Sequence, residues 1–370
     1  MLNNKLQILP QSSVIGIFGG GQLGRMSCFA AHDLGYRTII FSDVKDSPAS
    51  FVSNKTIVAN YNDEGALNEF INEVDIATFE FENIPVSSID FVSKNKPIYP
   101  NSNVLRITQN RLHEKDFLSK NGIIVANYKA VLSEKDMNNA LSEIKNKAIL
   151  KTATMGYDGK GQFVLDKNSN TKSIWQQVKA DMILEEFVDF EQEISVIAAR
   201  SVNKQSICYE PLTNIHKNGI LDKSIYPAKI KKSVAKKAQE IALKIIDDLD
   251  LIGLIAVEFF VLKDGNLLVN ELAPRPHNSG HFSMDACITN QFEQFIRAIT
   301  GFSLGSVEFH SKGFMKNIIG NEINDIEQYM LNDKAKLHIY GKNEVKEGRK
   351  MAHVNILQVN KNLTSSFQAN

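Results

Sequence analysis

Gly253-Leu-Ile-Ala-Val-Glu258-Phe-Phe-Val-Leu-Lys-Asp264-Gly265-Asn-Leu-Leu-Val-Asn270-Glu271-Leu-Ala-Pro-Arg275-Pro-His277-Asn278-Ser-Gly-His281 is the stretch on which the fold turns. Two apolar, β-branched runs flank Lys-Asp-Gly-Asn, and Asp-Gly between such runs is a strong hairpin signal. A two-residue turn at Asp264 and Gly265 pairs Leu262 with Leu267 and, carried outward, sets Glu258 opposite Glu271. Two carboxylates facing each other inside apolar strands repel. A divalent cation between them reverses the sign, and carboxylate oxygens suit Mg²⁺, which keeps waters and takes further ligands from substrate phosphates. The alternative is a solvated hairpin edge with two unrelated acids. Against it stands the loop that follows, where Arg275, His277, Asn278 and His281 crowd behind a buried strand. The stretch reads as a metal–phosphate site.

The rest of the 370-residue chain is long enough for two or three domains with real cores. Lysine plus arginine equals aspartate plus glutamate, 42 of each, so no global field points to nucleic acid or an anionic membrane. Any anion-binding patch must be local. Cys28, Cys208 and Cys287 are too few and too scattered for a disulfide framework or a zinc site, and read as small buried hydrophobes. The longest apolar run, 251–262, is too short to span a bilayer and Glu258 breaks it. No signal peptide is read in the polar residues 1–13, so a cytoplasmic protein is expected.

Upstream, Val14–Phe18 is a buried strand running into Gly19-Gly20-Gly21-Gln22-Leu23-Gly24-Arg25-Met26, followed by a helix and a strand that ends near Asp43. This satisfies G-x-G-x-x-G with an acid about twenty residues on, and by itself says dinucleotide. Further strands at 56–59, 75–81 and 97–99 alternate with helices, which argues a doubly wound parallel sheet over 13–105. Glu80 and Glu82 sit at the carboxyl end of one of its strands, where ligands bind in open α/β sheets. A helix over 103–120 carries Arg111. Lys151 closes a strand, and Gly156-Tyr157-Asp158-Gly159-Lys160-Gly161-Gln162 is a glycine-rich loop whose amides can close on phosphate oxygens. It lacks the Walker pattern and is no P-loop. Glu185 stands at an apolar–polar junction that suits an adenine or ribose contact. His216 falls in an expected loop over 211–221. In the last seventy residues, strands at 313–319, 335–340 and 351–357 flank Lys342, Lys346, Arg349 and Lys350, a local cationic patch.

The order of these parts resembles the ATP-grasp superfamily. Gly-Gly-Gln-Leu-Gly-Arg-Met, Phe-Glu-Phe-Glu-Asn, Gly-Tyr-Asp-Gly-Lys-Gly-Gln, Asn-Glu-Leu-Ala-Pro-Arg-Pro-His-Asn-Ser-Gly-His and Gly-Arg-Lys-Met-Ala-His resemble, within it, the carboxyaminoimidazole ribonucleotide synthetases, from about residue 13 to 358. The resemblance implies an α/β chain: a polar extension over 1–12, a pre-ATP-grasp domain over 13–105, an ATP-grasp domain over 106–302 with a lid at about 125–188, and a small C-terminal α+β domain over 303–370. It implies ATP, Mg²⁺ (or Mn²⁺), bicarbonate and aminoimidazole ribonucleotide as ligands, and a homodimer.

By motif, Arg111, Lys151, Glu185, Glu193, His216 and Asn270 would contact ATP. The 156–162 loop (Gly156, Tyr157, Asp158, Gly159, Lys160, Gly161, Gln162) would cover its phosphates. Glu258 and Glu271 would hold the metal, Glu271 touching the nucleotide as well. Gln22, Leu23, Glu80, Tyr157, Asp158, Arg275, His277, Asn278, Lys342 and Arg349 would hold the ribonucleotide. Asp158, Tyr157, Lys151 and Arg275 would be catalytic, with Asp158 as general base on the substrate amine. The run from Pro211 to His216 is one residue shorter than the family pattern, so His216 is the least secure contact. Three other readings compete: a formate-dependent glycinamide ribonucleotide transformylase, an NAD-dependent dehydrogenase resting on Gly19–Gly24 and Asp43, and a non-catalytic binding protein of the same fold.

Overall fold

The computed structural model describes residues 8–144, 147–156, 161–178 and 180–358. Strands β1 (Val14–Phe18), β2 (Arg37–Ser42), β3 (Lys55–Val58) and β4 (Ile76–Phe79) form an all-parallel sheet in the order β3-β2-β1-β4. Every residue of β1 is buried, as a strand covered on both faces requires. Helices α1 (Gln22–Asp33), α2 (Glu64–Glu73) and α3 (Val86–Ser93) supply the cover. The strand expected at 97–99 is a single parallel bridge from Ile98 to Ala77. Pro97 and Pro100 on either side have no N–H for a ladder.

The helix expected over 103–120 is two, α4 (Ser102–Thr108) and α5 (Arg111–Lys120). Between them Asn110 turns its side chain to accept from the N–H groups of Leu112 and His113, which caps α5 and makes Arg111 its first residue. Next comes a small antiparallel sheet in the order β5-β8-β6-β7. It holds β5 (Tyr128–Val131), β6 (Ala148–Thr152), β7 (Gln162–Leu165) and β8 (Met182–Glu186), with α6 (Glu134–Glu143) and α7 (Thr171–Val178) on its apolar face.

A nine-stranded antiparallel sheet carries the rest. Its strands are β9 (Gln192–Arg200), β10 (Ser206–Cys208), β11 (Leu212–Lys217), β12 (Ile220–Tyr226), β13 (Gly253–Val261), β14 (Leu267–Ala273), β15 (Lys312–Ile319), β16 (Ala335–Ile339) and β17 (Lys350–Gln358). The path runs β14-β13-β9-β11-β12-β15-β17-β16, with β10 on β9. The three C-terminal strands thus continue the same sheet through β12. The loop expected over 211–221 is the hairpin β11–β12, turned at Asn218-Gly219 with both residues at positive φ. Asn-Gly is the sequence signal for that turn.

Helix α8 (Lys232–Asp248) buries Val234, Ala238, Ala242, Ile245 and Ile246, a 3.6-residue stripe, against β9, β13 and β14. Beyond the short α9 (Ser283–Ala286), helix α10 (Gln291–Thr300) packs on α1 and so joins the parallel sheet to the long one; α11 (Glu327–Met330) follows. Leu9, from the polar extension, is pinned at this seam: its N–H donates to Thr300 O (2.8 Å) and its carbonyl accepts from Tyr36 Oη (2.9 Å). Among the described residues no helix is long and apolar enough to cross a membrane.

Candidate active site

Glu258 faces Glu271, but through a different register from the expected one. The turn takes three residues, with Leu262 N donating to Asn266 O (2.9 Å) and Gly265 at φ +83°, where a side chain would be strained. The inner pairs are Val261–Leu267 and Phe259–Val269, one residue off the two-residue-turn register. Asn270 is then an extra residue, a β-bulge, and pairing resumes at Glu258–Glu271. Side chains alternate along a strand, so without the bulge Glu271 would share the α8-facing side of Leu267 and Val269. With it, Leu272 joins that core and Glu271 turns to the side of Glu258.

Burial and the facing Glu271 push the Glu258 carboxyl up to about 8. Burial works against Glu271 as well, but the Arg111 guanidinium, donating from Nη1 at 2.9 Å, holds it down at about 2. Facing carboxylates repel, so the acid without a guanidinium partner is the one that burial pushes towards its neutral form. His277 Nε2 lies 3.5 Å from Glu258 Oε1. Ser279 N, which can only donate, meets His277 Nδ1 at 3.3 Å; the ring proton is therefore on Nε2, towards Glu258. Burial and the neighbouring Arg275 keep this imidazole neutral, its pKa lowered to about 3.

Asn270 Oδ1 is buried with no hydrogen-bond partner among the described residues. Two facing acids and an orphaned amide oxygen fit Mg²⁺, which is typically held by one or two carboxylates together with substrate phosphates. No group of three His, Cys, Asp or Glu side chains that could hold a metal occurs among the described residues, and this mode of binding needs none.

Two further pairs line up beside the hairpin. Lys151 and Glu185 lie diagonally across β6 and β8, on one face, with Nζ donating to Oε2 at 2.7 Å. Burial opposes ionisation of Glu185, but Lys115 and Lys151 hold its carboxyl below the usual range. His216, on β11, pairs through Nδ1 with Glu193 Oε2 at 2.7 Å. Burial lowers its pKa, yet Glu193, helped by Glu258 and Glu271, brings it above the ordinary imidazole value. The β11–β12 register shifts between Ile215 and His216, and His216 meets Glu193.

The glycine-rich turn has a different occupant from the one its fingerprint suggests. Gly19 takes φ +101°, and α1 starts at Gln22 with no side-chain cap from Gly21. Both carboxylate oxygens of Glu80, which is buried, fill that role: Oε1 accepts from Gly21 N, and Oε2 from Gly24 N at 2.6 Å. Those are the amides a dinucleotide pyrophosphate would need. An internal anion already holds them, which removes the ground for the dehydrogenase reading. Glu82 goes elsewhere, in a two-pronged pair with Arg275 (Nε–Oε2 2.5 Å, Nη2–Oε1 2.6 Å).

Two adjoining cavities open over this frame, of about 870 and 390 Å³. Gln22 and Glu80 line both, while Lys342 and Arg349 line the larger. Leu23, Arg275, His277 and Asn278 line the smaller, together with Arg111, Gly156 and Glu271. Lys151, Gly161, Gln162, Glu185, Glu193, His216, Glu258 and Asn270 line neither of these two cavities.

Comparison with known proteins decides the family. The Bacillus subtilis N5-carboxyaminoimidazole ribonucleotide synthase is 43% identical over 95% of this chain and 93% of its own length. The chain belongs to the N5-carboxyaminoimidazole ribonucleotide synthase family. Three family models match along it: a ribonucleotide synthetase preATP-grasp domain at 12–109, an ATP-grasp domain at 116–292, and a phosphoribosylaminoimidazole carboxylase C-terminal domain at 313–366. Among solved structures, the ADP complex of purK, an N5-carboxyaminoimidazole ribonucleotide synthetase, superposes with a TM-score of 0.93 at 41% identity, over 97% of this chain and 96% of that one. The Aspergillus clavatus N5-carboxyaminoimidazole synthase in complex with ADP and 5-aminoimidazole ribonucleotide gives 0.87 at 26% identity, covering 94% of each chain. The ATP-grasp fold with its N-terminal and small C-terminal partners is the one the sequence implied.

Within this family frame, Tyr157, Asp158, Gly159 and Lys160 of the glycine-rich loop lie outside the described residues. Asn278 commits its amide to Asn317 (3.0 Å), and Lys342 Nζ donates to Lys350 O (2.7 Å). Sequence reasoning leaves Lys350 inside a general basic run, yet it lines both cavities. It also passes over Glu114 and Lys115, adjacent charges buried on α5. Their sequence signal is weak, since charged residues on a helix are ordinarily solvated.

Proposed function

We propose that this chain carboxylates 5-aminoimidazole ribonucleotide with bicarbonate at the expense of ATP, giving N5-carboxyaminoimidazole ribonucleotide, ADP and phosphate, a step of purine biosynthesis. One observation carries the reading: Arg111 and Glu271, the latter facing Glu258 across the hairpin, line a small cavity that adjoins a larger, cation-lined one. A nucleotide phosphate end and a second phosphorylated substrate meet at such a junction.

Bicarbonate is a poor electrophile. Transfer of the γ-phosphoryl group of ATP to one of its oxygens gives carboxyphosphate, whose carbonyl carbon the substrate amine attacks. The N–C bond forms, the C–O bond to phosphate breaks, and the amine proton passes to Asp158 in the glycine-rich loop. Glu258, Glu271 and the Asn270 oxygen would hold Mg²⁺, which would supply charge neutralisation at the phosphates. Lys151 and Arg111 add fixed positive charge there, while Glu185, Glu193 and His216 seat the nucleoside. Lys342 and Arg349 take the 5′-phosphate of the ribonucleotide. Gln22, Leu23, Glu80 and Asn278 position its ring and ribose. Arg275 and neutral His277 border the chamber where carboxyphosphate forms, and the 156–162 loop keeps water from it. A cytoplasmic homodimer completes this reading, with sedimentation as the check on assembly.

The test is ADP release from ATP, Mg²⁺ and bicarbonate. Aminoimidazole ribonucleotide is expected to stimulate it strongly. Stimulation instead by glycinamide ribonucleotide with formate would replace the carboxylase by the transformylase. Asp158→Asn should keep ATP binding and lose carboxylation; near-normal carboxylation in that variant would remove Asp158 from the base role.

A further inference from the structure

Lys115 is 1% exposed, more deeply buried than Lys151 or Arg200. Its ammonium donates to Asn270 O at 2.6 Å and Val269 O at 3.3 Å, and Glu185 Oε1 lies 4.0 Å away. Val269 and Asn270 are the residues at which β14 slips register. β14 is the edge of its sheet, and Val269 turns its N–H outwards to Ile124 O, so buried carbonyls on that side need donors from outside the β13 ladder. On the other side of Glu271, the N–H of Leu272 donates to Oε2 of Glu114 at 2.9 Å; Glu114 is 2% exposed. Consecutive residues of α5, one base and one acid, therefore hold the backbone on both flanks of Glu271. A side chain that merely fills space needs no charge, and methionine would occupy the same volume.

The geometry points to Lys115 as a positioning residue of the metal site, with Glu114 as its counterpart. Lys115 holds the bulge that turns Glu271 beside Glu258. Its reach to Glu185 ties that bulge to the Lys151 end of the small antiparallel sheet, so the two halves of the ATP clamp share one buried cation. The inference rests on the Mg²⁺–ATP reading above.

The experiment is ADP binding by calorimetry with and without Mn²⁺, bound Mn²⁺ being counted by electron paramagnetic resonance, and a thermal melt recorded beside each. Wild-type protein should bind ADP more tightly with Mn²⁺. In Lys115→Met that metal-dependent gain should shrink about tenfold to a hundredfold in folded protein, the range for residues that orient metal ligands. Lys115→Arg, which restores charge and donors, should recover most of it. If Lys115→Met does not fold, Glu114→Ala carries the same expected loss. A full metal-dependent gain in Lys115→Met, with only the melting temperature lowered, makes Lys115 a core filler and overturns the inference. Wild-type protein indifferent to Mn²⁺ overturns the metal–nucleotide reading itself, and this role with it.

Discussion

The glycine-rich turn at 19–24 and the acidic hairpin at 253–273 are both sites built for charge, and they resolve it in opposite ways. At the turn, the amides that could hold a ligand's phosphate are taken by the chain's own Glu80. At the hairpin, two acids are brought face to face, with one guanidinium on Glu271. The first region is internally satisfied. The second sets two facing acids against one guanidinium, an imbalance that the proposed cation would meet. A motif that names a ligand class is therefore read with its surroundings: the fingerprint at 19–24 is intact, and its usual occupant is excluded by one carboxylate from a neighbouring strand.

The largest effect should come from breaking the hairpin. Glu271→Ala removes a proposed metal ligand and the partner of Arg111. Since changes to residues that orient metal ligands already cost about tenfold to a hundredfold, loss of the ligand should lower ribonucleotide-stimulated ADP release by more than about a hundredfold. Retained turnover would mean that the acids are structural. At the turn, Glu80→Ala should lower stability by about 1–3 kcal/mol, the cost of the Gly21 and Gly24 amides losing their acceptor. It should also raise the KM for aminoimidazole ribonucleotide more than that for ATP. A urea titration and steady-state kinetics check both; equal KM changes for the two substrates would undo the separation of roles. Wild-type protein should leave NADH fluorescence unchanged, and quenching or enhancement on titration would restore the dinucleotide reading.

Much of this was legible from residues alone, for reasons that also mark its limits. β1 and the α8 stripe follow from local periodicity, and facing acids follow from an Asp-Gly turn. The reading of that turn, however, supplied one residue too few, and Asn270 corrected it from inside the strand. A bulge is stabilised from elsewhere in the fold, here by Lys115 across 155 residues of chain, so no local pattern announces it. Glu80 is the same kind of case: its position at the end of a strand was visible, its grip on Gly21 and Gly24 was not. The 211–221 hairpin could have been found, since Asn218-Gly219 states it; the polar Lys-Asn-Gly context concealed two strands with few large apolar residues.

A third charged region, with neither an internal ion at its centre nor a ligand to bring one, sets the scale for the smallest effect. His281 and His353 lie tilted with ring centroids 4.6 Å apart, in full burial where the C-terminal strands cross α9 and α10, with Gln291 and Tyr340 on their Nδ1 atoms. Burial, and then the nearby imidazoles, put both pKa values well below the ordinary 6.5. The folded state thus binds its protons later than the unfolded chain. Stability is whole above about pH 6.5 and falls as pH drops, by up to about 1.4 kcal/mol per unit for each histidine. Asp285, whose carboxyl burial would raise but His338 at 2.7 Å holds below the usual range, gives way only at lower pH. His277 acts in the same direction in this window, whereas the Glu258 and Glu114 carboxyls, both raised to about 8, gain stability as pH falls, so the share of the His281–His353 pair is read from a difference between proteins. The fall in urea midpoint from pH 7 to pH 5.5 should be smaller, or the rise larger, in His353→Gln than in wild-type protein. The same change in both proteins would mean that the ring at 353 is solvated in solution, and the seam it occupies would then be open rather than packed.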